Sequence, residues 1–402
     1  MQCRQRRSAG GTVRTMEREI TVSAVSKSDK RRMKEVLALL EAEGLRLDPA
    51  LDYLCAAEDQ DLNVVGCGGA YKNTLRCFAV RRDMQGLGVM NALLSRLIED
   101  RAEKGFSHLF VYTKCSAAPF FTGCGFTEAV RIDGRLSLLE NRRDGLGSWI
   151  KETEKSLGKP ASPACPKTFP LSAVVMNADP FTLGHRYLVE KALENSGRAL
   201  VFVVSEDASP IPFDVRIRLV RESLADLENV TVLPSGPYII SSATFPSYFL
   251  RDEDQAAEDH ALLDAKIFGR IAEALGIKAR FIGEEPLSRT TAVYNRVLKE
   301  ALPPLGIEVI EIPRLEATAA SCSPIGPAVS ACGASEASGA PAASGPISAS
   351  KARALIAEGR TSEINSLVPE PVFSFFTGEE AVPVIERIIK AAGAAPGGGL
   401  RS

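Results

Sequence analysis

From residue 171 onward, short apolar runs alternate with amphipathic stretches, and this alternation restricts the fold more than any other property of the chain. The runs at 171–176, 200–204, 230–233, 279–282 and 307–312 are rich in Val, Ile, Leu and Phe and read as buried strands. Between them, 185–193, 215–224, 261–275 and 291–301 place apolar residues at helical spacing. Such alternation predicts a parallel sheet covered by helices on both faces. Ligands of such a sheet bind beyond the carboxyl ends of its strands.

The first site-bearing segment follows the first of these runs. Residues 176–185 read M-N-A-D-P-F-T-L-G-H, an apolar strand running into a short loop with a helix opening near Thr182. A helix start of this kind aims free backbone N–H groups and the positive end of the helix dipole at whatever lies above the sheet, which favours phosphate. Gly184 lets a nucleotide approach the backbone, and the His185 side chain adds a donor for charge developing on a phosphate oxygen. A second segment, I-S-A-S-K-A-R at 347–353, also opens a helical stretch. Ser348 and Ser350 can cap it and donate to phosphate, while Lys351 and Arg353 supply positive charge. Taken alone, a T-x-G-H can equally be a turn and a helix cap; a helix-borne Arg216 can equally be a solvated or paired charge.

T-L-G-H resembles the T/H-x-G-H motif of the nucleotidyltransferase superfamily, and I-S-A-S-K-A-R resembles its second phosphate-binding motif. The runs at 203–216, 238–250 and 283–295 are similar to the citrate lyase ligase family, and the likeness extends over about residues 17–389. That resemblance implies activation of acetate by ATP, with Mg2+ shielding the phosphates without a dedicated protein cage. Acetyl-adenylate and pyrophosphate form first. The acetyl group then passes to the thiol of the prosthetic group on the acyl-carrier subunit of citrate lyase. His185, Thr182 and Lys351 are the catalytic candidates it implies. Met176, Asn177, Phe181, Gly184, Gly283, Ser348, Ser350 and Arg353 are the nucleotide-binding candidates, with Arg216 and Arg289 as weaker ones for pyrophosphate or carboxylate.

The first half mixes short strands, expected at 63–67, 74–80 and 108–113, with helices around Val36 and Leu94. Residues 81–90, R-R-D-M-Q-G-L-G-V-M, place a glycine-rich turn before a helix, a geometry that can cradle a pyrophosphate. The turn resembles the acetyl-CoA-binding turn of GNAT-type acetyltransferases, although Asp83 stands where a Gln or Arg is usual. Gln85, Gly86 and Gly88 are therefore expected to dock a CoA-like arm. His108 reads as structural, His260 as a surface or capping residue, and Cys115 and Cys124 as core packing.

The expected architecture is α/β: a GNAT-like α+β domain at 19–150, then a Rossmann-like nucleotidyltransferase domain at 171–392. Residues 151–170 read as linker, and 1–18 and 393–402 as disordered tails. The Ala-, Ser-, Gly- and Pro-rich insert at 317–346 reads either as a passive loop or as an obstruction of the site entrance. A net charge of -2 argues against nucleic-acid or anionic-membrane partners, and no apolar run is long enough for a transmembrane helix. Nine scattered cysteines without a C-x-x-C pair give little support for zinc or a disulfide framework and fit reduced thiols in a cytoplasm. Two other readings share these motifs: a cofactor-biosynthetic adenylyltransferase fused to a GNAT domain, and a catalytically idle regulator that binds nucleotide or acyl-CoA.

Overall fold

The computed structural model describes residues 11–15, 18–158, 167–206, 209–239, 253–284, 289–317 and 345–394. Two compact units are distinguished, one holding Met1–Trp149 and Phe245–Leu263, the other Ile150–Thr244 and Asp264–Ser402. Contiguous domains are thus interrupted. Within the first unit, the fully buried Asp259 receives a 2.7 Å hydrogen bond from Arg135 Nη1, which ties the later segment to the earlier one.

The first unit is built from β1 (Gly11–Thr15), β2 (Arg18–Ala24), α1 (Lys30–Ala42), β3 (Tyr53–Glu58), β4 (Val64–Tyr71), β5 (Thr74–Val80), α2 (Val89–Glu103), β6 (Phe110–Lys114), α3 (Ala118–Gly123), β7 (Thr127–Ile132) and β8 (Leu136–Glu140). Its eight strands run in the order β1-β2-β3-β4-β5-β6-β8-β7. All neighbours are antiparallel except β5 and β6, which pair in parallel only at Thr74↔Phe110 and Leu75↔Val111. Beyond Leu75 the two strands have no further paired residues, and a cleft opens in that divergence.

Strand β4 reads V-V-G-C-G-G-A-Y, and its glycines have a packing reason. A Cβ on Gly66 would lie 2.7 Å from Val89 Cγ1 and 3.0 Å from Leu93 Cδ1, and one on Gly68 would lie 3.0 Å from Leu97 Cδ1. Gly66 and Gly68 sit on one face of the strand, and Val89, Leu93 and Leu97 form one stripe of α2. The bare strand therefore lets the helix lie close on the sheet. Cys55, Cys67 and Cys77 are buried within the same sheet, and burial pushes the Cys55 and Cys77 thiols up to about 12, so they are inert core residues.

Helix α4 (Gly145–Ser156) continues six residues into the stretch read as linker. The second unit then alternates: β9 (Ser172–Met176), α5 (Leu183–Asn195), β10 (Ala199–Val203), α6 (Phe213–Ser223), β11 (Val230–Pro234), the part of α7 (Glu253–Leu275) that begins at Asp264, β12 (Ala279–Gly283), α8 (Arg289–Ala301) and β13 (Glu308–Ile312). Its five strands are parallel throughout, in the order β11-β10-β9-β12-β13. Strand order reverses at β9, so the crevice beyond Met176 is the topological switch point, where ligands of open α/β sheets bind. Two short strands, β14 (Glu316–Ala317) and β15 (Gly345–Pro346), pair antiparallel at the stem of the insert, whose remaining residues lie outside those described. Helices α9 (Ala349–Ala357), α10 (Glu370–Thr377) and α11 (Val382–Ala394) complete the unit. His260 is 6% exposed inside α7, a buried helical residue rather than a surface or capping one. Among the described residues, no helix is long and apolar enough to cross a membrane.

The close approach of α2 to β4 yields a direct test. Gly66→Val forces a side chain into Val89 and Leu93 and should destabilise the first unit by about 1–3 kcal/mol. Urea denaturation should show a lowered midpoint for Gly66→Val and a smaller effect for Gly123→Ala, where a Cβ meets nothing within 4 Å. Equal midpoints for Gly66→Val and the parent chain would contradict the packing account.

Candidate active site

At the carboxyl edge of the second unit's sheet lies a cleft of about 300 Å³, formed by the ends of β9, β12 and β13 and the starts of α5 and α9. Met176, Asn177, Thr182, Gly184, His185, Gly283, Ser348 and Ser350 all line it. Two segments some 160 residues apart in sequence thus meet in one place. Thr182 caps α5, its hydroxyl accepting from His185 N at 3.3 Å, and Ser348 caps α9, accepting from Lys351 N at 3.1 Å. Both are ordinary helix caps, and both also open an amide edge toward the cleft. Among the described residues, the backbone N–H groups of Gly184, Ala349 and Ser350 have no protein acceptor, although all three residues line the cleft. An anion satisfies such groups. A Cβ on Gly184 would stand 3.6 Å from both Ile347 O and Thr182 Oγ1, so the protein itself tolerates a side chain there.

His185 is held in one protonation state. The Thr182 backbone N–H donates to His185 Nδ1 at 3.0 Å, and the Thr182 hydroxyl lies 2.9 Å from the same nitrogen. Nδ1 must keep its lone pair, so the neutral ring carries its proton on Nε2. Burial, assisted by the positive charge of Arg314, lowers the imidazole to about 4. Part of the ring still faces the cleft, and both causes act in the same direction. The result is an uncharged Nε2–H donor whose acceptor is not among the described residues. Phe181 stacks behind the ring, centroids 5.6 Å apart at 19°, and is 1% exposed. It positions His185 and does not line the cleft.

Two predicted phosphate ligands serve the backbone instead. The Arg216 guanidinium, on α6 and 1% exposed, donates to the carbonyls of Ile211, Asn177, Val204 and Glu206 at 2.7–3.0 Å. Arg353 donates to Asp179 O and, at 3.2 Å, to its carboxylate. Between these anchors Ala178 adopts φ +54°, the left-handed region that costs a non-glycine residue energy, and the Asp179–Pro180 peptide is cis. Burial raises the Asp179 carboxyl, and the charge of Arg353 opposes that rise. Neither Arg216 nor Arg353 lines the cleft, because a planar guanidinium with several donors is used here to bind loop carbonyls. Lys351 does not line it either, and the side chain of Arg289, the first residue of α8, lies outside the described residues.

Glu284, Thr291 and Arg314 line the cleft and were missed by sequence reasoning. Glu284 and Arg314 stand one and two residues beyond the ends of β12 and β13. The rule that ligands gather at strand carboxyl ends was the available signal. Among the described residues, no cluster of three or more His, Cys, Asp or Glu side chains could hold a metal.

The first unit has its own cleft, about 600 Å³, in the divergence of β5 and β6, lined among others by Phe78, Gln85, Gly86, Gly88, Lys114 and Phe121. Gly86 and Gly88 have φ +79° and +81°, and Gly88 opens α2, so the turn takes a conformation that suits glycine alone. Gln85 Nε2 donates back to Val80 O at 3.2 Å, and Asp83 accepts from Arg81 at 2.7 Å. His108 bonds Glu140 at 2.6 Å, a structural pair. Cys115 and Cys124 are half-buried rather than core residues. Cys115 donates to Ile132 O, and burial raises the Cys124 thiol, which disfavours a nucleophilic role.

Comparison with known proteins assigns both units. The family model for the citrate lyase ligase C-terminal domain matches residues 171–329, and that for the GNAT acetyltransferase family matches residues 16–126. Among relatives, the citrate (pro-3S)-lyase ligase of Klebsiella pneumoniae is 34% identical over 352 residues, 86% of this chain and 93% of its own. That of Escherichia coli K12 is 33% identical over 354 residues, 86% of this chain and 90% of its own. Likeness at this level spans both the GNAT-like unit and the unit that holds the paired helix starts, and the chain therefore belongs to the citrate lyase ligase family.

Proposed function

We propose that the chain activates acetate with ATP and acetylates the thiol-bearing prosthetic group of the citrate lyase acyl-carrier subunit. The observation that carries this reading is the convergence, on a single cleft, of one neutral imidazole N–H and three amides without an acceptor among the described residues. A carboxylate oxygen of acetate attacks the α-phosphorus of ATP; a new P–O bond forms, and the bridging P–O bond to the β-phosphate breaks. Pyrophosphate leaves. In the second step the thiol sulfur attacks the acetyl carbon, the C–S bond forms, AMP departs with the C–O bond electrons, and the thiol proton passes to solvent. The names of the relatives, ligases of citrate lyase, support the carrier as acceptor.

The first step transfers no proton, so it calls for fixed donors and charge neutralisation rather than an acid. Amides of Gly184, Ala349 and Ser350 suit the phosphate oxygens, and the His185 Nε2–H suits the charge that grows as the bridging bond breaks. Mg2+ travels with the nucleotide phosphates in this reading and shields them. Free thiols at the five described cysteines accord with a cytoplasmic site of action. The cleft of the first unit serves the CoA-like arm of the carrier, the role its Gln85–Gly86–Gly88 turn suits.

His185→Ala should lower acetate-dependent ATP–pyrophosphate exchange by on the order of 10²–10³, with a much smaller change in ATP affinity. Because the ring of the free chain is neutral above about 4, kcat/KM for ATP of the parent chain should show no histidine limb between pH 5.5 and 8 (roughly the range in which an ordinary imidazole titrates). Near-normal exchange by the alanine variant, or a limb near pH 6.5 that it abolishes, would sink this role.

Division of labour between the clefts is tested by Gly88→Val, which places a β-branched residue at φ +81°. Carrier acetylation should fall at least about tenfold as the arm loses its seat. Exchange should persist. A variant that acetylates the carrier as fast as the parent chain would leave the first cleft without this role.

A further inference from the structure

We propose that Arg314 is the cation on which the anionic end of the nucleotide seats beside His185. This rests on the ATP-dependent reading above and supplies what that reading lacks, a cationic side chain in the cleft itself. A triphosphate carries several negative charges, and neutral amides alone leave most of that charge uncompensated. Arg216 and Arg353 are committed to the Asn177–Asp179 loop, and Lys351 lies outside the cleft lining. Among the described residues that line the cleft, Arg314 is the one permanent cation and Glu284 the one acid.

Its placement suits the task. Arg314 stands two residues beyond the end of β13, and its Nε donates to Glu284 O at 3.2 Å, which fixes the root of the guanidinium beside the carboxyl end of β12. Next to it, Leu315 O accepts from Ile347 N at 3.1 Å, so the strand end that bears Arg314 is laced directly to the chain that opens α9. The cation and the α9 amides are thus part of one framework. A guanidinium presents a planar fork matched to two phosphate oxygens, and it stays charged at every working pH.

The same position couples Arg314 to His185. The positive charge of Arg314 is one of the two causes that hold the imidazole low. An anion seated on Arg314 offsets that charge, and the ring becomes easier to protonate. The chain has three histidines, so ring resonances are few, and His185→Gln identifies the one that matters.

The experiment uses the full chain and has two arms. Acetate-dependent exchange is measured for Arg314→Gln and Arg314→Lys; the glutamine variant should lose on the order of 10² in kcat/KM for ATP, and lysine should restore part of it. In the unsubstituted chain, the His185 ring is titrated by NMR with and without saturating inorganic pyrophosphate, and its midpoint should move upward when the anion is present. An Arg314→Gln chain within about threefold of the parent, or a His185 midpoint indifferent to pyrophosphate, overturns the assignment. If the glutamine variant fails to fold, the pyrophosphate titration decides alone. Absence of acetate-dependent exchange in the parent chain would instead refute the ligase reading, while the titration would still decide whether Arg314 binds the anion.

Discussion

Everything at the second cleft depends on how the chain leaves β9. Within six residues it must turn out of the sheet, pass a left-handed alanine and a cis peptide, and enter α5 with Thr182 correctly placed. Two arginines from distant helices make that path the preferred one. Arg216 on α6 binds Asn177 O, and Arg353 on α9 binds Asp179 O. A buried guanidinium is costly to desolvate unless its donors are met, and loop carbonyls outside a sheet need donors. Each satisfies the other. The loop that looks irregular is therefore determined at both ends, and with it the start of α5.

The capping of α5 has a chemical effect beyond helix stability. In a capping box the N3 side chain normally accepts the N-cap N–H through a carboxylate or amide. Here His185 takes that place, and its Nδ1 does the accepting. A structural hydrogen bond thereby selects the tautomer and leaves Nε2–H turned to other use. The fold and the chemistry draw on the same two residues, Thr182 and His185, and the spacing between them is decisive: one residue more would put the ring on another face of the helix.

Much of this was legible in the sequence. All five strands of the second sheet fall within a few residues of their predicted positions, because parallel strands buried on both faces read as unbroken apolar runs. The meeting of residues 176–185 and 347–353 was equally readable, since each pairs a strand end with a capped helix. Less was visible in the first unit. Strands β3, β7 and β8 lack the strict alternation of a half-buried strand, and β4 is glycine-rich for the sake of α2. Sequence reasoning also placed Arg216 and Arg353 on the ligand. Charge and motif position were right, but what an arginine binds depends on which carbonyls the loops leave unmet, and that is a property of the folded chain alone. Arg314 was overlooked for the opposite reason: it lies in no motif, only at the end of a strand.

The short ladder of Glu316–Ala317 with Gly345–Pro346 sits next to two residues that line the second cleft, Leu315 and Ile347. It closes the stem of the insert as a zip closes a bag. Chain leaving at Ala317 returns at Gly345 on the neighbouring strand, so the separation of the two exits is set by the ladder and not by the amount of chain between them. Closure entropy grows only with the logarithm of that length, by roughly 0.6 kcal/mol per doubling. Length here is uncoupled from the geometry of the cleft. The stem is accordingly a place where this fold can acquire or shed sequence, or accept a foreign domain with adjacent termini, while the framework on either side keeps its dimensions.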